Sequence, residues 1–191
     1  RNPALVDTAR RMLAMNADGH KVEVVHADAF DYLPPEPVDV VICEMLHVGL
    51  LREKQIQVIA SFKRRYLERF GGPLPVFVPE ATLQAVQPVQ QDYLYQGYYA
   101  ATPVFQNPVA QQDRTAALAD PVVFQSFTYD DTLPGICEWQ GLIEVSEAGI
   151  FNALRFITKN VLAVCLDTAS TIDWHNQYLV VPIAEPRSVE P

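Results

Sequence analysis

Residues 38–53 read Val38-Asp39-Val40-Val41-Ile42-Cys43-Glu44, then Met45-Leu46-His47-Val48-Gly49-Leu50-Leu51-Arg52, then Glu53. The opening run is apolar apart from one carboxylate, the pattern of a buried parallel strand. Glu44 ends that run, and in open α/β sheets ligands sit beyond the carboxyl ends of the strands. Glu53 follows nine residues later across a mostly apolar loop. Two carboxylates folded over one pocket would clamp a cation, and a planar guanidinium satisfies both bidentately. The competing reading has Glu44 capping a turn and Glu53 opening a helix, where a carboxylate is favoured by the helix dipole.

Working outward, the spacing predicts a helix over 54–70, with Ile56, Ile59, Phe62, Tyr66 and Phe70 on one side and Gly71-Gly72 closing it. Its Lys63, Arg64, Arg65 and Arg69 read as a solvated face. Upstream, Asn2-Pro3 is a helix cap, Leu5, Val6, Ala9, Met12 and Leu13 recur at helical spacing over 3–17, and Gly19 is a stop. Val22-Glu23-Val24-Val25 alternates as a short strand ending at His26-Ala27-Asp28-Ala29, where Asp28 could accept a hydrogen bond from an exocyclic amine such as that of adenine. Pro34-Pro35-Glu36-Pro37 is a loop. Beyond residue 80 the texture changes. Val76 to Val89 is strand-like, 92–121 shows no helix of length, and β segments are predicted at 122–129, 136–146, 150–166 and 177–183. The expected fold is therefore α/β followed by all-β, a parallel sheet (1–79) leading into a β barrel (80–191) with the boundary near Pro79.

Composition narrows the functional classes. The chain of 191 residues is 49% hydrophobic, which excludes general disorder, and no apolar run approaches the roughly 18 residues of a membrane span. A net charge of −9 argues against wrapping nucleic acid, which needs clustered cations. Cys43, Cys137 and Cys165 are isolated, which argues against a disulfide framework or a zinc cluster; no metal is expected, and the compartment is reducing and cytoplasmic. Tyr93, Tyr95, Tyr98 and Tyr99 suit barrel packing or a subunit contact better than stacking on a base. Fifteen Pro against eight Gly, and a helix cap with only Arg1 before it, suggest an internal piece of a longer chain.

Val38 to Glu44 with Glu53 nine positions on resembles the double-glutamate hairpin of the protein arginine methyltransferases. Further segments match in order. Asn2-Pro3-Ala4 resembles the start of the helix after that family's second strand, His26-Ala27-Asp28-Ala29 its adenine-contacting turn, and Pro79-Glu80-Ala81-Thr82-Leu83 its Pro-x-x-Ala-x-Leu crossing into the barrel. Ile172-Asp173-Trp174-His175-Asn176-Gln177 is similar to the Thr-His-Trp loop. There are departures. Met45 to Val48 stand where the family usually has Trp-Met-Gly-Tyr, Asp173 stands where the loop histidine is expected, and an extra residue separates Trp174 from Gln177. A long dimerisation arm is not evident between 90 and 121.

The resemblance implies a partial Rossmann-like methyltransferase sheet with a C-terminal β barrel and an S-adenosylmethionine cofactor. It implies Glu44 and Glu53 as the catalytic guanidinium clamp, Asp28 and Ala29 on the adenine, and Leu46, His47, Asp173 and Trp174 around the acceptor. The family's Gly-rich cofactor loop lies upstream of the position Arg1 takes, so an internal fragment that binds cofactor weakly is expected, with exposed sheet edges that favour a homodimer. Two alternatives stay open. One is a methyltransferase for a small molecule or another amine; the other is a non-catalytic binding or scaffold module that retains the fold.

Overall fold

The computed structural model describes residues 2–109 and 111–191; Arg1 and Ala110 lie outside the described residues. Helix α1 (Pro3–Ala14) begins as the cap predicts, with the Asn2 side chain accepting from the Ala4 N–H at 3.1 Å. Gly19 follows where the chain doubles back: a Cβ there would stand 1.9 Å from the Leu13 carbonyl oxygen, so only glycine fits the approach. No residue of α1 is buried. Strand β1 (Val40–Ile42) pairs in parallel with β2 (Val76–Val78) through Val40↔Val76, Val41↔Phe77 and Ile42↔Val78. Helix α2 (Gln55–Phe70) connects them, burying Gln55, Val58, Ile59 and Tyr66, and ends at Gly71 with φ 62°. Ile59, Phe77 and Tyr129 form one core cluster, lined by Val41, Cys43, Phe62 and Leu133.

After the Val78–Pro79 peptide, which is cis, the chain enters the curled antiparallel half-barrel. Its strands are β3 (Ala81–Gln91), then, beyond the small hairpin β4 (Leu94–Tyr95)–β5 (Tyr98–Tyr99), β6 (Val104–Gln106), β7 (Thr115–Ala117), β8 (Val122–Thr128), β9 (Gly149–Cys165), β10 (Ser170–His175) and β11 (Tyr178–Val189). The path runs β6-β11-β9-β3-β7, with β10 on β9 and β8 on β3. β3 and β9 are the spine, paired from Ala81↔Val161 to Val89↔Ala153. Val89, Tyr93, Ala153 and Val180 make a second core cluster at the far end. Burial pushes the Tyr93 hydroxyl up to about 12.

Four expectations are corrected. Val22–Val25 forms no strand, because no described segment pairs with it as a neighbour; it is held by the Val22 N–H donating to the Gly19 carbonyl at 3.2 Å and by Arg10 Nη2 donating to the Val24 carbonyl at 3.1 Å. The run at 38–43 is a strand only over Val40–Ile42 and is not buried on both faces: Val40 is 50% and Ile42 76% exposed, while Val41 packs inward. Residues 136–146 form no strand, and Ile136, Trp139 and Leu142 are exposed; the backbone anchor nearby is the Leu118 carbonyl, which accepts from Ser146 N–H and Glu147 N–H. The cations of α2 are not merely solvated. Arg65 donates to the Phe30 carbonyl at 2.9 Å, Arg69 to Pro35 O at 3.0 Å, and Lys63 to Tyr129 O at 2.8 Å. With Tyr66, whose hydroxyl bridges the Val38 N–H and C=O, Arg65 and Arg69 tie residues 30–38 down in place of a sheet ladder, while Lys63 reaches the other way, to the segment after β8. Among the described residues no helix is long and apolar enough to cross a membrane.

Candidate functional site

The Glu44–Glu53 loop leaves β1, makes a 3₁₀ turn at Val48–Leu50, and enters α2. Its backbone is unusual. Of the five described non-glycine residues with positive φ, three are Leu50, Glu53 and Lys54, in addition to Gly49 at φ 65°. Each non-glycine residue in that region costs about 1–2 kcal/mol, so the loop holds its shape only because other contacts impose it. Val48 is buried as a plug, and two hydrogen bonds grip the loop from behind. The Met45 N–H donates to Gln55 Oε1 at 3.3 Å, and the Gly49 N–H donates to Thr158 Oγ1 at 2.7 Å.

The loop lies between two cavities. One, of about 420 Å³, is mostly apolar and is lined by Ala29, Val41, Cys43, Glu44, Met45 and Val58 among others. Asp28 stands at its edge as the first residue of a turn: its Oδ1 accepts from Phe30 N–H at 3.0 Å and its carbonyl from Asp31 and Tyr32 N–H. Burial, followed by the nearby Glu44 charge, pushes the Cys43 thiol up to about 11, so it is an inert apolar wall and not a nucleophile. The other cavity, of about 270 Å³, is lined by Leu46, His47, Val48, Phe105 and the Trp174–Gln177 turn. His47 Nδ1 lies 2.9 Å from the Val48 carbonyl, which can only accept, so Nδ1 carries the proton. Phe105 meets the His47 ring edge-on at 5.8 Å.

The structure thus brings Ala29 and Glu44 to one cavity, and Leu46, His47 and Trp174 to the other. Glu53 is exposed and lines neither. Asp173 also lines neither; its Oδ2 takes Lys159 Nζ at 2.8 Å and Thr171 Oγ1 at 2.9 Å. The Lys159 bond, then that of Thr171, outweighs burial and holds the Asp173 carboxyl below its ordinary range. Phe105, Gln55, Tyr129, Thr158 and Asn160 went unread as site residues. The alternation Thr82-x-Gln84 and Thr158-x-Asn160 within long strands was the available signal, since such positions share one barrel face.

A two-stranded parallel edge feeding an antiparallel half-barrel is similar in fold to the protein arginine methyltransferases. Over 97% of its length the chain superposes on two solved structures: a chain of the Trypanosoma brucei PRMT1 enzyme–prozyme heterotetrameric complex with AdoHcy (TM-score 0.71, 13% identity) and Arabidopsis thaliana protein arginine methyltransferase 10 in a uniquely open conformation (TM-score 0.74, 17% identity). In sequence it is 35% identical to Arabidopsis thaliana protein arginine N-methyltransferase PRMT10 over 71 residues, 37% of this chain and 18% of that protein. It is 27% identical over 165 residues, 86% of this chain, to an uncharacterized protein of Methanothermobacter thermautotrophicus. The chain spans 58% of that archaeal protein and 64% and 66% of the two solved chains. No protein-family model matches it.

Proposed function

We propose that the chain is the acceptor-binding and part of the cofactor-binding portion of a cytoplasmic S-adenosylmethionine-dependent methyltransferase acting on a guanidinium, with a Rossmann-like part over 1–79 and a barrel part over 80–191. One observation carries the reading: the loop bounded by Glu44 and Glu53 separates an apolar cavity with one carboxylate at its wall from a smaller one lined by aromatic and imidazole rings. At about 420 Å³, the first is within the ~300–1,000 Å³ range of small-molecule sites, and its walls suit an adenosine with Asp28 and Ala29 beside the base. When bound there, S-adenosylmethionine supplies an electrophilic methyl on a sulfonium. The residues of this chain do the rest.

Glu44, at the cavity wall, would receive the guanidinium N–H groups, with Glu53, which stands exposed outside both cavities, as the second arm of the clamp once the acceptor is bound. Together they would hold its positive charge towards one nitrogen, leaving the other directed at the methyl. That nitrogen would form the new bond to the methyl carbon as the carbon–sulfur bond breaks and the sulfur leaves as a neutral thioether, and the nitrogen would give up one proton to water. Arginine is not deprotonated free in a protein, so orientation and a fixed negative field supply most of the effect. Trp174 and Leu46 wall the acceptor and limit how many methyls fit, and His47 presents Nε2 as an acceptor. Asp173 acts at one remove, by orienting Lys159. The small volume of the second cavity, about 270 Å³, also favours a compact free guanidino or amino compound over a bulky peptide, and an acceptor panel separates these.

Glu44→Gln tests the assignment. Transfer of labelled methyl to an arginine-containing peptide is expected to fall by at least about 100-fold, as for loss of one preorganised electrostatic group. Cofactor affinity by calorimetry should stay near wild type, because the clamp acts on the acceptor. The assay belongs to the whole protein of which this chain is a portion, since the chain alone is expected to bind cofactor weakly. Equal loss of both there would overturn the role of Glu44, and absence of both binding and transfer in the whole wild-type protein would favour the scaffold reading.

A further inference from the structure

The half-barrel face behind the loop is polar where a barrel core is ordinarily apolar. Gln55, Thr82 and Asn160 are 0% exposed, Thr158 1% and Gln84 2%. Thr82↔Asn160 and Gln84↔Thr158 are direct partners across β3 and β9, so two polar rungs stack on one face. Each such group costs on the order of 1–3 kcal/mol to bury unless it is bonded, so their placement calls for a physical reason.

The bonds run in one direction. The Met45 N–H donates to Gln55 Oε1, and Gln55 Nε2 donates to the Tyr129 hydroxyl oxygen at 2.5 Å. The Tyr129 hydroxyl is 2.9 Å from Thr82 Oγ1, and the Thr82 hydroxyl donates to Asn160 Oδ1 at 2.9 Å. Since Thr82 has a single proton and spends it on Asn160, Tyr129 is the donor to Thr82. Asn160 Nδ2 then donates to Asn176 Oδ1 at 2.7 Å, in the turn that carries Trp174. A second branch starts from the other side of the loop: Gly49 N–H to Thr158 Oγ1, and Thr158 hydroxyl to Gln84 Oε1 at 2.8 Å. The Thr158 carbonyl also accepts from Asn176 N–H at 3.4 Å. Head-to-tail chains of this kind polarise one another. Gln55, Tyr129, Thr82, Asn160 and Thr158 are each fixed by two neighbours, whereas Gln84 ends its branch with Nε2 buried and unbonded among the described residues.

We propose that this buried chain is a positioning relay that sets the Glu44–Glu53 loop in register with the Trp174–Gln177 turn, so that Gln55, Tyr129, Thr82 and Asn160 are positioning residues for the reaction without touching either substrate. The proposal rests on the methyltransferase reading for its kinetic consequence, and on the hydrogen bonds alone for its structural one. The strained backbone at Leu50, Glu53 and Lys54 is a cost that the relay helps to offset, together with the buried Val48 and the His47–Phe105 ring contact.

Tyr129→Phe deletes one hydroxyl and keeps the ring in its cluster, and Thr82→Val removes the next member isosterically. In both variants kcat for methyl transfer should fall on the order of 100-fold, with KM for the acceptor moved less than about threefold, as displacement of reacting groups implies. Amide hydrogen exchange should speed by about tenfold over 45–50 and equally over 174–177, the equivalent of one lost bond, while β3 and β9 stay protected. The double variant Gln55→Met, Asn160→Leu should lose little more than the worse single one, although the two side chains share no bond. Faster exchange at 45–50 alone, general loss of protection in both variants, or additive losses would each overturn the relay. The kinetic arm is run on the whole protein that contains this chain; no transfer by that protein would sink the methyltransferase reading instead, and the exchange experiment would still decide the relay.

Discussion

The chain holds two leucines in opposite circumstances. Leu5, on the apolar stripe of α1, is 66% exposed; Leu118, just beyond β7, is 1% exposed and its carbonyl receives two backbone N–H groups from residues 146 and 147. The amphipathic pattern is as clear around Leu5 as anywhere in the sequence, yet the helix has no buried residue, whereas the barrel spine β3–β9 buries eight of the eleven residues of β3. An apolar stripe fixes the type of an element; burial depends on which other segments reach it. Residues 30–38 are anchored point by point through side chains of α2, and the barrel by continuous ladders.

The sharpest way to break this contrast is to make the same substitution on both sides. Leu118→Ala should lower unfolding stability by about 2–5 kcal/mol, read as a fall in the denaturant midpoint at unchanged slope, since it opens a cavity among buried neighbours. A loss below about 1 kcal/mol would mean that the region after β7 is looser than its burial. A smaller effect is expected at the helix cap. Asn2→Ala should cost about 1 kcal/mol, and because α1 buries nothing, the loss should appear as faster amide exchange within Pro3–Ala14 and not in the global midpoint.

The same contrast explains what could be read from the residues. Helix α2, the long strands β3, β9 and β11, and the two-glutamate spacing were legible because each depends on local periodicity or on residues close in sequence. Val22–Val25 alternates as well as any strand, but a strand exists only when a neighbour pairs with it, and that neighbour has no signature in the segment itself. The same holds for Ile136 to Ser146. The cations of α2 misled for a different reason: Arg65 and Arg69 reach carbonyls about 35 positions upstream, at Phe30 and Pro35, and helical spacing says nothing of that reach. Of the residues singled out in the sequence, Ala29, Glu44, Leu46, His47 and Trp174 line the two cavities and Glu53 and Asp173 line neither; Asp173, read either as an acceptor contact or as steadying a neighbouring cation, is engaged by Lys159. The relay was hidden because its members are spread from position 45 to 176, and only pairing β3 with β9 puts Thr82 beside Asn160.

The smallest predicted effect is the most discriminating. Leu5→Ala removes a branched side chain that is two-thirds exposed from a helix with no fully buried residue, whose inner positions Val6, Ala9 and Leu13 are half-buried. Alanine has the higher helix propensity, by a few tenths of a kcal/mol, and little transfer energy is lost, so the global midpoint should move by less than about 0.5 kcal/mol. The measurement is a pair of denaturation curves for wild type and variant, repeated at two protein concentrations about a hundredfold apart. Mass action makes the stability of an associated species concentration-dependent, whereas that of a lone chain is not. A loss above about 1 kcal/mol that grows with concentration would mean that Leu5, Met12 and Met15, all exposed in the single chain, are covered by a second copy in solution. A loss of that size at both concentrations would mean that α1 packs on its own chain more closely than its exposure allows, and the contrast with the barrel would disappear.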